Sequence, residues 1–337
     1  MKRPTIVITG LLAIIAAALP LGLLVGGVDL SAAEIFEAFG NTDDSIAHFI
    51  VIENRLPALL CATLAGAALA LAGLLMQTCF NNPLAGPSIM GISGGASVGV
   101  ALVMMMLGGT IGTLGRLAIV GGAFIGALGV LGVLLLFSLV VKSNDVLLIV
   151  GILLGYASSS VISLLNFFST DSSVHSFVLW GLGSFTGVSL SELPLFAALC
   201  VVPAAISMLY TKSLNAMLFG ERFSENVGVD TRKVRTALLL LSGIFTAVAT
   251  AWCGPIGFIG LVAPHIARMF IASSNHRTLL PATMLCGAAM AILCQIISVS
   301  PALSDGATIP VNAITPVIGV PVIIYVLLNR RKLLYFN

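Results

Sequence analysis

Charge is what this 337-residue chain has least of. Lys, Arg, Asp and Glu together make up 8% of it, about a third of the ~25% usual in soluble domains. With 58% hydrophobic residues beside that scarcity, an ordinary water-soluble fold is excluded. The net charge of +2 gives no basic surface for nucleic acid. All thirteen acids lie in polar connections or within a turn or so of the end of an apolar run. A charge at the centre of a bilayer costs at least ~2.5–3.5 kcal/mol and is usually kept for proton or ion coupling. Its absence argues against a proton-driven carrier, although sodium can be held by backbone carbonyls alone. The five lysines follow Met1, Val141, Thr211, Arg232 and Arg331. None follows glycine, so the Gly-Lys-[Ser/Thr] of a phosphate-binding loop is missing and the chain carries no nucleotide-hydrolysing motif. His48, His175, His265 and His276 form no HExxH or other close ligand pair, and Cys61, Cys79, Cys200, Cys253, Cys286 and Cys294 form no CxxC. The cysteines read as small apolar packing residues. No catalytic residue, metal site or bound cofactor is expected of this chain.

What the chain has instead is apolar length. Ten runs, at about 5–28, 57–80, 88–108, 116–141, 146–168, 192–210, 236–253, 257–272, 279–299 and 312–329, approach the ~20 residues that cross a hydrocarbon core of ~30 Å. The first is too long for a signal-peptide core and no small-x-small cleavage site follows it, so it reads as a membrane helix. With ten spans and an inner N-terminus, thirteen basic residues fall inside: Lys2, Arg3, Lys142, Lys212, Arg222, Arg232, Lys233, Arg235, Arg268, Arg277, Arg330, Arg331 and Lys332. Only Arg55 and Arg116 fall outside, a strong positive-inside bias. The expectation is an all-α polytopic membrane protein of ten helices, one domain over 1–337, with both termini cytoplasmic. Small residues recur at four-residue steps, as in Ala58, Ala62, Gly66 and Ala70, and in the pairs Gly95/Gly99, Gly122/Gly126, Gly151/Gly155 and Gly183/Gly187. They describe close helix packing.

Two segments break this pattern. Asn81-Asn82-Pro83-Leu84-Ala85-Gly86-Pro87 follows the second span, and Gly254 to Arg268, with Pro255, Gly257, Gly260 and Pro264, follows the seventh. Broken backbone at membrane depth is tolerated only where protein or water covers it, and it marks transport routes more often than inert anchors, the other reading being a kinked packing helix beside a cytoplasmic turn. The two breaks lie five spans apart, which fits an inverted repeat of spans 2–5 and 7–10. The longest inward connection, about 211–235, is polar, of mixed charge, and longer than a simple turn requires. A short amphipathic helix is expected there over Ser213 to Phe223, its apolar face Leu214, Met217 and Leu218 either lying on the membrane or, the preferred reading, docking on a cytoplasmic partner. The first outer loop, 29–55, is acidic, with Arg55 its one cation.

Several of these residues together resemble the FecCD permeases, the membrane subunits of ATP-binding-cassette importers for iron-siderophores, haem and vitamin B12. They are Arg55-Leu56-Pro57, the Ala/Gly-rich helix ending in Gln77, Asn82-Pro83-Leu84-Ala85, Gly91 with Gly94-Gly95-Ala96, Trp180-Gly181-x-Gly183-Ser184, and Gly254-Pro255-Ile256-Gly257-Phe258-Ile259-Gly260-Leu261 with Pro264-His265-x-x-Arg268. The resemblance covers about residue 50 to the C-terminus. It implies a homodimer in the bacterial inner membrane, driven by two cytoplasmic ATPases that bind the ATP and Mg, and supplied by a periplasmic or lipoprotein binding protein. It implies a coupling role for Phe219, Gly220, Glu221, Ser224, Val227 and Gly228, and a cytoplasmic gate at Asn82, Leu84, Ser143 and Asn144. Arg55 is implied as a docking charge for the binding protein. The implied cargo is a bulky metal chelate, iron-siderophore or haem before cobalamin. Met76, Met90 and Met104–Met106 are weighed as path lining, with packing preferred.

The chain departs from the family pattern at several points. Asn81 stands where Arg is usual, Ala58 follows Leu-Pro where Arg is usual, and Asp305-Gly306-Ala307-Thr308-Ile309-Pro310 lacks the Arg and Glu-Leu-Pro common in the last outer loop. The docking surface should therefore be less charged. The rival reading is a stand-alone ion-coupled secondary transporter.

Overall fold

The computed structural model describes residues 2–40, 45–106, 113–141, 143–304 and 307–328, and every regular element among them is a helix. Lys142, Asp305, Gly306, Arg330, Arg331 and Lys332 lie outside the described residues, as does the side chain of Met106. In chain order the α-helices are α1 (Lys2–Leu24), α2 (Ala32–Gly40), α3 (Ile46–His48), α4 (Leu56–Cys79), α5 (Ile92–Met106), α6 (Thr113–Val140), α7 (Asn144–Phe167) and α8 (Asp171–Gly181). They continue with α9 (Leu193–Leu209), α10 (Thr211–Met217), α11 (Glu221–Asn226), α12 (Thr231–Cys253), α13 (Ile259–Ile271), α14 (His276–Ser298), α15 (Pro301–Ser304) and α16 (Val311–Leu328). A π-helical stretch, Phe49–Arg55, leads into α4.

Each of the ten apolar runs coincides with a helix, but their lengths differ. Six helices are long and apolar enough to cross a membrane by themselves. The pair α9 and α10, bent by 61°, counts as a seventh if read as one span, and α5, α13 and α16 are shorter. Thirteen residues make α13 about 20 Å long, so it reaches depth only together with the irregular residues 254–258.

The centre of the bundle is α4. Nineteen of its residues are buried, Ala58, Ala62, Gly66 and Ala70 among them, and α9, α12, α13 and α14 pack around it. Glycines make this possible. A Cβ on Gly66 would sit 2.3 Å from the Gly287 carbonyl, and one on Gly73 would sit 1.6 Å from that of Gly260. The two GxxxG pairs of α5 and α6 face one another antiparallel, Gly95 against Gly126 and Gly99 against Gly122. Without a hydrophobic gain between helices in lipid, such backbone approach is what supplies dispersion contact. All six cysteines are buried and free of disulfides.

Basic residues gather at one end. There Arg3 donates to the Phe270 carbonyl (2.9 Å), Arg268 to Gln77, Arg235 to Asn144 and Arg232 to the Leu139 carbonyl. Arg55 and the Arg116–Glu192 ion pair (3.0 Å) lie at the other.

Candidate functional site

At the basic end the helix α4 stops because Asn81 turns left-handed (φ 48°), a region that Asn tolerates better than most side chains. The Asn82 N–H still bonds back to the Gln77 carbonyl (3.0 Å). Its Oδ1 accepts from the Leu84 N–H (2.9 Å), which folds Asn82-Pro83-Leu84 into a tight side-chain-closed turn. Leu84 is left 37% exposed at the bundle end. The second expected gate turn joins α6 to α7. Ser143 caps α7 by accepting from the Val146 N–H (3.5 Å), and the Asn144 Oδ1 accepts from the Arg235 guanidinium (3.1 Å). Arg235 comes from the second turn of α12 and also donates to the Ser138 and Val141 carbonyls at the end of α6.

The connection between α9 and α12 is built differently from the expectation. In place of one helix over Ser213–Phe223 there are two, α10 and α11, because Gly220 takes φ 93°, a value closed to most L side chains. The expected apolar face does not point outwards either: Leu214 is fully buried. The exposed apolar surface is Phe219, Phe223 and Val227, with the Phe219 and Phe223 rings 5.1 Å apart. Phe223 was not among the expected residues, although its four-residue spacing from Phe219 and Val227 was there to be read. Ser224, expected as a contact, is buried and returns its hydroxyl to the Gly220 carbonyl (2.9 Å). Glu221 and Glu225 both accept from the Thr231 hydroxyl (3.3 and 2.9 Å), which ties α11 to α12, and Gly228 (φ 87°) turns the chain between them. Asp230 caps α12 and pairs with Lys233 (2.9 Å); the Lys233 side chain and backbone N–H hold its carboxylate below the ordinary range.

Beneath these surfaces lies a polar network of which the sequence suggests only His265, as a polar residue ordering its helix end. The Asn215 Oδ1, on α10, accepts from both the backbone N–H (2.8 Å) and Nδ1 (2.9 Å) of His276 at the start of α14. His276 Nε2 meets the Thr78 hydroxyl (2.9 Å) in the last turn of α4. Beside it, the Gln77 amide donates to the Leu261 carbonyl (3.2 Å) and its oxygen accepts from Arg268 (2.6 Å), while His265 Nε2 donates to the Pro83 carbonyl (2.8 Å). His276, His265, Gln77, Thr78 and Arg268 are all buried.

The opposite end holds the break after α12. Gly254 (φ 74°, ψ 177°) ends the helix, and a Cβ there would sit 2.5 Å from the Trp180 carbonyl. One side chain, Asn312 of α16, satisfies the freed backbone: its oxygen accepts from the Gly257 N–H (3.1 Å), and its amide donates to the carbonyls of Pro255 (2.6 Å) and Gly181 (3.1 Å). Two expected break residues are corrected. Gly260 and Pro264 lie within α13, where Gly260 lets α13 approach Gly73, and only Gly254, Pro255 and Gly257 belong to the irregular stretch. Arg55 is likewise not presented outwards. It is 8% exposed, and its guanidinium caps the end of α1 through the Leu23 (2.6 Å) and Leu24 (3.2 Å) carbonyls and that of Val28.

The FecCD transport family model matches residues 12–329. The chain is 33% identical over 325 residues to the hemin transport system permease protein HmuU of Yersinia pestis, covering 96% of each. It is 36% identical over 304 residues to the vitamin B12 import system permease protein BtuC of Klebsiella pneumoniae, covering 90% of each. A solved structure described as an inward-facing conformation of a metal-chelate type ABC transporter superposes with a TM-score of 0.83 at 30% identity, over 96% of this chain and 98% of that one.

Proposed function

The chain belongs to the FecCD transport family and is a transport component, not an enzyme. On that premise we propose that it is the membrane-spanning permease subunit of a bacterial ABC importer for a bulky metal chelate, iron-siderophore or haem before cobalamin. Two copies enclose the path in the inner membrane, each with ten spans and its basic end in the cytoplasm, as the positive-inside distribution requires. The arrangement of α4, its turn and α5 against α12, its break and α13, with the two interruptions at opposite ends of the bundle, supports an inverted repeat. Two ATPase subunits bind ATP and Mg and supply the energy, and a periplasmic or lipoprotein binding protein delivers the cargo.

The observation that carries this reading is the exposed patch of Phe219, Phe223 and Val227 at the basic end. Apolar rings facing water mark a docking surface, and here they lie on α11 and in the turn before it, α11 being tied to α12 and α10 to the start of α14. Phe219, Gly220, Glu221, Val227 and Gly228 form or shape that surface, with Ser224 holding it from beneath. Asn82, Leu84, Ser143 and Asn144 form the gate. With Arg55 turned inward, the outer face offers the binding protein the exposed carboxylates Asp29, Glu34, Glu37 and Glu53 in place of that cation. The test is uptake of hemin, and in parallel cyanocobalamin, into proteoliposomes carrying the purified chain with or without its ATPase and binding protein. Uptake should require all three proteins and ATP. Uptake by the chain alone along a sodium gradient would overturn the proposal in favour of a secondary transporter.

A further inference from the structure

We propose that His276 is the positioning residue that carries displacement of α10 to the Asn82-Pro83-Leu84 turn; the inference rests on the permease reading above. Two neighbouring residues at the end of α4 tie it to the rest of the network. Thr78 takes the His276 ring, and so is joined through it to Asn215 on α10. Gln77 takes Arg268 and the Leu261 carbonyl of α13, and its own carbonyl holds the first N–H of the turn, that of Asn82. His265, one turn before Arg268 on the same helix, holds the Pro83 carbonyl from the other side. Every link is 2.6–3.2 Å long, and the side chains between Asn215 and Pro83 are buried.

Such a network cannot stretch. A buried polar group that loses its partner costs about 1–3 kcal/mol, so the set moves together or pays at each broken bond. Among the described residues His276 is the side chain whose hydrogen bonds bridge α10 and α4, and both its ring nitrogens are used. Its backbone N–H also goes to Asn215, and the Asn215 amide donates to the Asn275 Oδ1 (3.1 Å) that caps α14, so α10 grips the start of α14 through three hydrogen bonds. A partner that seats on Phe219 and Phe223 and shifts α10 therefore shifts the base of α14 and the last turn of α4, from which the gate turn hangs.

The test separates the two ring bonds in the assembled complex with its ATPase and binding protein. His276→Asn keeps a group at the Nδ1 position and loses the bond to Thr78, whereas His276→Gln keeps a group at the Nε2 position and loses the ring bond to Asn215, the backbone bond remaining. Each is combined with Leu84→Cys, whose labelling by a membrane-impermeant maleimide is followed before and after ATP with vanadate. In the parent complex labelling changes with nucleotide. In both His276 variants that change falls about tenfold while ATP hydrolysis stays within about twofold of the parent, a loss typical of a broken coupling. Asn215→Ala, a part-exposed position, gives the same result if the His276 variants do not assemble. A nucleotide response that survives these changes overturns the inference, as does hydrolysis that falls in step with the response. A parent complex whose Leu84→Cys labelling ignores nucleotide counts against the permease reading itself.

Discussion

Asn312 does inside the protein what water would do outside a bilayer. Four to five residues of unravelled backbone follow Cys253, and one carboxamide satisfies an N–H and two carbonyls of the surroundings. Each buried group left unpaired costs about 1–3 kcal/mol. Asn312→Leu, close in volume, should therefore lower the thermal midpoint of the purified protein in detergent by several degrees, with Asn312→Asp intermediate because it keeps the acceptor and loses the donor. An unchanged midpoint in the leucine variant would mean that the break is satisfied by other groups. Arg55 works in the same way at the end of α1, where it donates to three carbonyls. Arg55→Gln should cost about 2 kcal/mol and leave the affinity for the binding protein within about twofold. A larger loss of affinity, measured on the isolated complex, would restore its docking role.

At the scale of elements, glycines set the distance between helices, and one of them sets the shape of the coupling segment. The α5–α6 pair closes on Gly95, Gly99, Gly122 and Gly126, with a Cβ on Gly99 only 1.9 Å from the Gly122 carbonyl. Gly99→Val must push α6 away. We expect folded yield to fall sharply, whereas Gly121→Val, which has open space around it, should be tolerated. Equal yields would show that the pair is not close-packed. Gly220 differs: no atom lies near its Cβ position, and only its φ of 93° matters. Proline is locked near −65°, so Gly220→Pro forces α10 and α11 out of their present angle. ATPase association, followed by co-purification, should be lost while the variant keeps the parent's elution volume on size exclusion. Association at the parent level would sever α11 from the coupling role.

For the whole molecule the question is which end faces the cytoplasm. Because the six native thiols are buried, single cysteines placed on the surface report without background. An impermeant maleimide added outside intact spheroplasts should label Glu37→Cys and spare Arg222→Cys, the pattern reversing in inverted vesicles. Labelling in the opposite sense would invert the topology and move the coupling segment to the outside.

Much of this was legible in the residues. Low charge, ten apolar runs and the partition of basic residues gave a helical membrane bundle, and the broken segments with the Trp180–Ser184 and Gly254–Arg268 motifs gave the family. GxxxG spacing gave close packing, because small residues at four-residue steps share one helix face whatever lies opposite. What could not be read was partnership. Gly99 against Gly122, Asn312 against the Gly254–Gly257 break, Arg55 against the end of α1 and His276 between α10 and α4 join residues 23 to 198 positions apart. Composition and periodicity set the solvent in which each helix must lie. Which polar group meets which carbonyl is decided only once the helices are packed, since in a medium without water a side chain's role is fixed by the partner it reaches.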